Sequence, residues 1–338
     1  MAAVEAPWPG AVGVSGGSDS LALMFLLRDW AKSRRLPPPV VLCVDHGVRP
    51  ESLSEARQVA RWARKAGLAA HVLTDADRKP LHSDIEAACR ALRYRLLGAW
   101  TSKRNLKAVY VAHTLDDQAE TFLLRLGRGS GVDGLAAMRP VAPYPHPVIP
   151  ELKVVRPLLS FDRLDLRAYL LELCQPWLED PMNADPRFAR ARIRNAWPQL
   201  EALGLTRPRL AQTAEHLGRA RAALDTVSQA VVVRAFRPLA DGAALDPRAL
   251  GGAPRELALR ALAGILMLVG RRTYRPRFER LEALFESLSA CETTKGRTLH
   301  GCTIAPASRK YAVFGASTLL IRPEKPRQSP GKIRTGPQ

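Results

Sequence analysis

Cysteine is scarce in this sequence, and its five cysteines lie far apart. None forms a CxxC pair, which gives no signal for a zinc site or an iron–sulfur site. An odd number of dispersed thiols with no secretory leader is typical of a reducing compartment. We therefore expect a cytoplasmic protein with buried thiols.

Long apolar runs are also missing. No segment approaches the length of a membrane span, and the N-terminus lacks the charged and apolar regions of a signal peptide. The glycine-rich stretch SGGSDS (15–20) is neither GxxxxGK[ST] nor GxGxxG, which excludes the Walker loop and the dinucleotide fingerprint at this position. Aromatic residues make up only 6% of the chain, so extensive base stacking is not indicated. We expect no membrane partner.

Acidic residues are outnumbered by basic ones. The chain has 51 Lys and Arg against 32 Asp and Glu, a formal net charge of +19. This excess favours an anionic partner, nucleic acid above all, although charge that serves only solubility is the alternative. With 338 residues, of which 46% are hydrophobic, the chain is long enough for two domains with real cores.

Short β-like runs alternate with helical patterns over the first 150 residues. The segment PVVLCVDHG (39–47) holds five consecutive apolar residues, as in a strand buried on both faces, and SLSEARQVARWARKAG (52–67) predicts a helix with a capping box from Ser52 to Glu55. The alternation predicts an α/β fold, a doubly wound parallel sheet followed by a smaller helical or α+β domain. The predicted parts are a catalytic domain at 1–200, a helical connection at 201–237, a small domain at 238–322 and a disordered basic tail at 323–338.

The small domain and the proline-rich stretch before it give weaker signals. Residues 140–160 predict a loop or a short hairpin. Helical patterns at 254–270 and 275–290 precede two β-like segments, RTLHGCTIAP and YAVFGASTLLIR.

Three polar clusters directly follow predicted strands: Ser15–Ser20, Asp45–His46 and His113–Asp117. Ligands bind beyond the carboxyl ends of parallel strands, so topology should bring these clusters to one edge of the sheet. The first cluster, SGGSDS, turns a strand into a helix and presents free backbone N–H groups to an anion. On these residues alone, an ordinary capped turn is the alternative.

The motifs resemble those of one known family. SGGSDS resembles the SGGxDS loop of the PP-loop ATP pyrophosphatases, a Rossmann-like superfamily. VDHGVRPES (44–52), HTLDDQAETFLLRLGRGSGVDGLAAM (113–138), RPLL (156–159) and WLEDPMNADPRFARARIRN (177–195) resemble elements of its tRNA(Ile)-lysidine synthetase branch. The matches occur in order and cover about 180 residues.

The resemblance implies an ATP-dependent ligase that acts on the isoleucine tRNA with a CAU anticodon. ATP would adenylate the C2 oxygen of the wobble cytidine, and L-lysine would then displace AMP through its ε-amine to form lysidine. Activation divides one difficult substitution into two easier steps, because AMP is a good leaving group. A homodimer is also implied by resemblance.

The resemblance further implies roles at the three clusters. The first would hold the ATP phosphates through Ser15, Gly16, Gly17, Ser18, Asp19 and Ser20, with Mg²⁺ on Asp19. The strand-end pair Asp45 and His46 would lie at the adenylated base, although a polar turn is the alternative. Asp117 and Glu120 would recognise lysine, while His113 and Asp116 would contact substrate. The alternative for the acids Asp116, Asp117 and Glu120 is a structural role, because acidic residues in the first turn of a helix complement its dipole.

Arginines complete the predicted site. Arg93 is assigned to catalysis and Arg90 to substrate, with an exposed arginine as the alternative for each. Arg128 in RGSG is assigned to a second phosphate-contacting turn, where a helix C-cap is an equal alternative. Four further arginines suit phosphates around an anticodon loop, or else form a solvated basic face: Arg187, Arg190, Arg192 and Arg194.

Two other functions compete with this prediction. A tRNA thiolase of the same superfamily needs paired cysteines, which this sequence does not have. A non-enzymatic RNA-binding protein on the same fold would not need the intact SGGSDS loop or the acids Asp117 and Glu120.

Overall fold

A computed structural model describes residues 6–75, 85–145, 149, 151–179, 185–272, 274–290 and 296–324. The chain divides into two compact units, Met1–Arg221 and Ala222–Gln338. The predicted tail lies outside the described residues from position 325 onward. Among the described helices, none is both long enough and apolar enough to cross a bilayer.

The first unit is built on a six-stranded sheet. Its strands are β1 (Ala11–Gly13), β2 (Val40–Val44), β3 (Ala70–Leu73), β4 (Ala108–Tyr110), β5 (Val141–Pro143) and β6 (Lys153–Val155). Their order across the sheet is β3-β2-β1-β4-β6-β5. All neighbours are parallel except β5, which pairs antiparallel with β6. The predicted α/β fold is confirmed, with one antiparallel edge strand that comes from the proline-rich hairpin.

Helices cover both faces of this sheet. On one face, α1 (Ser18–Ser33), α2 (Ser52–Lys65) and α6 (Arg163–Glu172) pack in a core that includes Leu23, Val59 and Leu170. On the other, α3 (Ile85–Lys103) contributes Tyr94 and Leu97 to a second core. The strand order reverses at β1: β2 and β3 are added on one side of it, and β4 lies parallel to it on the other side. This is the switch point at which doubly wound folds bind ligands.

A third core joins the helix after β4 to later parts of the unit. It packs α4 (Leu115–Leu126) through Ala119 and Phe122 against Trp197, Leu210 and Ala214. The partners belong to α8 (Trp197–Ala202) and to α9 (Arg207–Ala235), which continues into the second unit. In the sequence between α4 and α8 lie the one-turn helix α5 (Val132–Leu135) and the arginine-rich α7 (Ala189–Asn195). This packing brings the arginines after residue 185 to the acids of α4.

The second unit has an antiparallel sheet in the order β7-β8-β11-β10-β9. Its strands are β7 (Phe236–Leu239), β8 (Gly242–Leu245), β9 (Arg297–Leu299), β10 (Cys302–Pro306) and β11 (Leu319–Pro323), and its helices are α10 (Pro247–Gly251), α11 (Arg255–Val269) and α12 (Phe278–Ser289). The predicted helices and the strands at RTLHGCTIAP are confirmed. The sequence did not indicate the β7–β8 hairpin, and YAVFGASTLLIR is a strand only in its second half, because Gly315 turns the chain at a φ of +80°.

The domain boundaries placed at 200, 237 and 322 stay a prediction. The division between the two compact units falls inside α9, between Arg221 and Ala222.

Candidate active site

Ser20 folds the loop after β1 onto itself. Its hydroxyl accepts hydrogen bonds from the backbone N–H groups of Ser15 and Gly16, both at 3.2 Å, and donates to the Gly17 carbonyl at 2.9 Å. Gly16 adopts a φ of +98°, a conformation that favours glycine, and its carbonyl accepts from the N–H of Leu178 at 2.9 Å. These contacts fix the backbone shape of the loop. Gly16 and Ser20, both predicted to bind ATP, therefore also have a structural role in it.

The N-terminus of α1 offers donors beside this loop. Gly17 is the N-cap residue, and no side chain of the described residues caps the helix. A Cβ at Gly17 would have only Ser15 Oγ nearby, at 3.9 Å, so the backbone is open at that side. Uncapped N–H groups and the helix dipole favour an anion at this position.

Arg163 joins the loop after β1 to the start of α4. Its Nε lies 3.0 Å from Asp19 Oδ2, its guanidinium lies 4.0 Å from Asp117 Oδ1, and its backbone N–H donates to Asp116 Oδ2 at 3.2 Å. Burial raises the pKa of Asp19, and the charge and hydrogen bond of Arg163 oppose that rise. Burial acts to lower the pKa of Arg163, but the surrounding carboxylates outweigh burial and raise it. The sequence-predicted loop and acid clusters thus meet through an arginine.

Asp117 has a structural role as well as its predicted chemical one. Its Oδ2 accepts from the N–H of Thr114 at 2.9 Å and from the Thr114 hydroxyl at 3.2 Å, which completes a capping box at the start of α4. Its Oδ1 lies 3.4 Å from a nitrogen of Arg190. Burial acts to raise the pKa of Asp117, but the interaction with His113, the Thr114 hydrogen bond and the charges of Arg163 and Arg190 together lower it below its usual range. Asp117 is therefore an anion whose Oδ1 faces the guanidinium groups of Arg190 and Arg163.

Glu120 is completely buried and forms a bidentate ion pair with Arg194. The two oxygens lie 2.6 and 3.2 Å from the guanidinium nitrogens. Burial raises the pKa of Glu120, and the hydrogen bonds and charge of Arg194 oppose the rise. Nearby, Asp116 pairs with Arg207 at 3.0 Å. The first-turn acids of α4 are thus neutralised by arginines from later segments.

Arg194→Met will lower the free energy of unfolding by about 3 kcal/mol, because it leaves the buried Glu120 carboxylate without its counter-charge. Arg187→Met is the matched control, since the Arg187 side chain is 84% exposed and should tolerate the same change. Urea unfolding of both variants measures the difference. Equal losses for the two would contradict a stabilising Glu120–Arg194 pair.

His113, at the end of β4, is held as a neutral imidazole. Its Nδ1 lies 3.3 Å from Arg156 Nε, a donor, so Nδ1 acts as acceptor and the proton resides on Nε2. Burial lowers the pKa of His113; the charge of Asp117 opposes this shift, and the charges of Arg156, Arg90 and Arg190 add to it. The ring can therefore donate one hydrogen bond from Nε2.

The His113 environment predicts a loss of stability in mild acid. Below a pH of about 6.5 the unfolded chain binds a proton at this residue that the folded protein does not, so stability falls as the pH falls. Between pH 7 and 5 the wild-type protein should lose about 1–2 kcal/mol more than His113→Gln. Urea unfolding at each pH measures this loss, and parallel pH profiles for the two proteins would contradict it.

Asp45 and His46 follow β2, as predicted, but Asp45 closes a turn. Its Oδ1 accepts from the Ser52 hydroxyl at 2.5 Å and from the Gly47 N–H at 2.8 Å. The capping box predicted from Ser52 to Glu55 is therefore wrong, because Ser52 is engaged with Asp45 and Glu55 pairs with Arg49. His46 Nε2 lies 3.5 Å from Arg93, which brings that predicted residue to the same edge.

The remaining predicted arginines divide into two groups. Arg190 and Arg194 face the acids of α4, one helical turn apart, and Arg90 stacks over the ring of Tyr94 at 5.0 Å. The other three are exposed, as is Arg90, and two of them meet local partners. Arg187 pairs with Asp185, Arg192 donates to the carbonyls of residues 186 and 187, and Arg128 lies in the turn after α4. That turn is a helix C-cap, with Gly129 at a φ of +70° and the Ser130 N–H donating to the Arg125 carbonyl.

Sequence reasoning missed Arg163, Arg156 and Arg207 as parts of the site. Arg163 follows Asp162, whose side chain accepts from the Leu164 N–H as an N-cap. An arginine in the first turn of a helix opposes the helix dipole, and that misfit was the available signal.

The PP-loop domain family matches residues 9–200 of the chain. A tRNA(Ile)-lysidine synthase from Methylobacterium nodulans is 41% identical over 95% of this chain and 93% of its own length. The chain belongs to the tRNA(Ile)-lysidine synthase family. Two further family members are similar: that of Methylobacterium sp. (strain 4-46) is 40% identical over 95% and 93% of the two chains, and that of Wolbachia pipientis wMel is 35% identical over 92% and 70%.

Membership of the tRNA(Ile)-lysidine synthase family explains why this sheet edge is so polar. The PP-loop match begins just before β1 and ends in α8, so it includes the loop at Ser15–Ser20, the acids of α4 and the arginines of α7. An enzyme of this family is an ATP-using ligase.

Proposed function

We propose that this protein forms lysidine at the wobble cytidine of the CAU-anticodon isoleucine tRNA, using ATP and free L-lysine. The observation that supports the proposal best is the bridge of Arg163 between Asp19 and Asp117, since it brings an anion-binding loop and a cation-binding carboxylate to the same switch point. Adenylation and lysine attack both need that proximity.

The loop at Ser15–Ser20 suits the phosphates of ATP. Its helix start is uncapped by described side chains, and Gly17 leaves the backbone open to close approach. Asp19 and the serine hydroxyls supply oxygen donors of the kind that a phosphate-bound Mg²⁺ takes from a protein. One carboxylate suffices for such an ion, although Arg163 holds Asp19 Oδ2 and would have to share it. Magnesium bound there would offset charge on the departing pyrophosphate.

Asp117 is the residue proposed to hold the lysine substrate. It remains an anion while buried, and its Oδ1 already faces a guanidinium at 3.4 Å. Glu120 would act beside it, although its two oxygens are engaged by Arg194 in the structure. His113 can donate from Nε2 to the carbonyl-like oxygen of the base.

The tRNA would reach this edge beside Asp45, His46 and Arg93, with basic residues on its phosphates. The arginines Arg90, Arg128, Arg187 and Arg192 are exposed and suit such contacts. A cytoplasmic location and a homodimer complete the proposal by resemblance to the family.

Transfer of radiolabelled lysine tests the function directly. The protein is incubated with ATP, labelled lysine and the unmodified CAU isoleucine tRNA, with the methionine CAU tRNA as control. Label should enter only the isoleucine tRNA. Binding of ATP and tRNA without any incorporation would contradict the proposal and favour a non-enzymatic RNA-binding protein.

A further inference from the structure

Helix α2 carries a row of arginines beside β3, the outer strand of the first sheet. On α2, Arg57, Arg61 and Arg64 are spaced four and three residues apart and therefore share one helical face. All three are exposed. They line an open cavity of about 560 Å³ together with His71 of β3, and its other lining residues are alanines and a valine.

The opposite side of the same strand is basic and aromatic. His71 lies 5.0 Å from the ring of Trp100 on α3, and the guanidinium of Arg104 lies 3.8 Å above that ring. His71 and Arg104 are exposed, while Trp100 is half-buried. An arginine placed over an aromatic ring can keep its N–H groups at the surface for phosphate or carboxylate. We name the set of Arg57, Arg61, Arg64, His71, Trp100 and Arg104 the β3 edge face.

The β3 edge face begins near the candidate active site and runs away from it. Helix α2 starts at Ser52, whose hydroxyl binds Asp45 at the carboxyl end of β2. At 1.5 Å per residue, Arg64 lies about 18 Å along the helix from Ser52, and the three arginines span about 10 Å. A ligand that touches all of them is extended and polyanionic, because a single phosphate cannot bridge that distance.

We propose that the β3 edge face binds the sugar-phosphate backbone of the substrate tRNA outside the catalytic edge. The proposal rests on the proposed function for the identity of the RNA. Three arginines in a row, with no acid among the residues that line their cavity, complement a chain of phosphates. The contacts are to backbone, so they add affinity and orientation without reading sequence.

The competing explanation is protection of an edge strand. Basic side chains along an exposed edge prevent it from pairing with another chain. Arg64 donates to the Ala70 carbonyl of β3 at 3.0 Å, and Arg61 contacts Gln58. Edge protection predicts aggregation when the arginines are removed and no effect on tRNA binding.

The test compares two triple variants with the same loss of charge. Arg57→Gln/Arg61→Gln/Arg64→Gln removes the α2 row, and Lys32→Gln/Arg34→Gln/Arg35→Gln removes three exposed cations at the far end of α1. The affinity for unmodified CAU isoleucine tRNA is measured from about 50 to 200 mM salt. We expect the first variant to bind roughly 10-fold or more weakly at the lower salt, with a slope of log K against log salt that is smaller by about two, and the second to retain the wild-type slope.

Other readouts separate this proposal from its rivals. At saturating tRNA, the α2 variant should transfer lysine at the wild-type rate, with only the KM for tRNA raised. Equal salt slopes for both variants and the wild type would overturn the proposal, and aggregation with unchanged tRNA affinity would establish edge protection instead. Because binding is measured without turnover, a wild-type protein that binds tRNA but transfers no lysine would contradict the proposed function alone. Should the triple variant not fold, Arg57→Gln must lower the slope by about one.

Discussion

Asp117→Asn will reduce lysine transfer about 100-fold or more while leaving ATP-dependent adenylation of the tRNA largely intact. The asparagine oxygen can still accept from the Thr114 N–H, so the start of α4 keeps its cap. What disappears is the negative charge at Oδ1, which faces Arg190 at 3.4 Å and which we propose to hold the lysine substrate. The effect should therefore fall on the second half-reaction.

Two measurements separate the half-reactions. With ATP labelled at its α-phosphate and no lysine, the variant should still form labelled tRNA. When lysine is added, release of AMP should be slow and should need far more lysine than the wild type. The control is Asp165→Asn, an exposed first-turn acid of α6 that should behave as wild type in both assays. An unchanged lysine dependence in Asp117→Asn would remove this residue from lysine recognition.

Gly16→Ala will abolish most ATP-dependent activity and will also destabilise the first unit. A methyl group on Gly16 would lie 2.7 Å from Leu178 Cδ1 and 2.9 Å from Val59 Cγ2, and the φ of +98° is strained for alanine. Strain and overpacking together should lower the free energy of unfolding by about 2–4 kcal/mol. Displacement of the loop by about 1 Å would lower the rate of adenylation ~10²-fold.

Of two other glycines, one provides the matched control and the other a second test of the loop. Gly218→Ala, on α9, has open space around the new methyl group and should leave stability and activity at wild-type levels or slightly above. Gly17→Ala has room and a φ of −68°, so it should fold normally yet raise the KM for ATP, because its methyl group narrows the opening beside the helix start. Wild-type ATP kinetics in Gly16→Ala would contradict a phosphate-binding role for this loop.

The sequence was sufficient to predict which clusters converge. Parallel strands β2, β1 and β4 are adjacent, so the residues that follow them share an edge, and this required only the alternation of helices and strands. The predicted site residues after these strands are where topology put them. Their roles in catalysis stay a prediction.

The partners of the acids could not be predicted in the same way. Asp117 and Glu120 looked like free carboxylates for a cationic substrate, whereas the structure pairs them with Arg190 and Arg194. These pairs depend on how α4 packs on α8 and α9 through Phe122 and Trp197, which no local pattern encodes. The hairpin of β7 and β8 was missed for a related reason, because its strands have only four residues each and depend on pairing, β7 with β8 and β8 with β11.

The ion pairs at the start of α4 also bear on how this protein is synthesised. Arg163 follows Asp19 by 144 residues, and Arg194 follows Glu120 by 74. A nascent chain on the ribosome completes the parallel strands first, while the carboxylates already made still await their guanidinium groups. The candidate active site therefore becomes electrostatically complete only late in the synthesis of the first unit, and a chain that ends before α7 would lack both the guanidinium that pairs with Glu120 and the helices α8 and α9 that pack on α4.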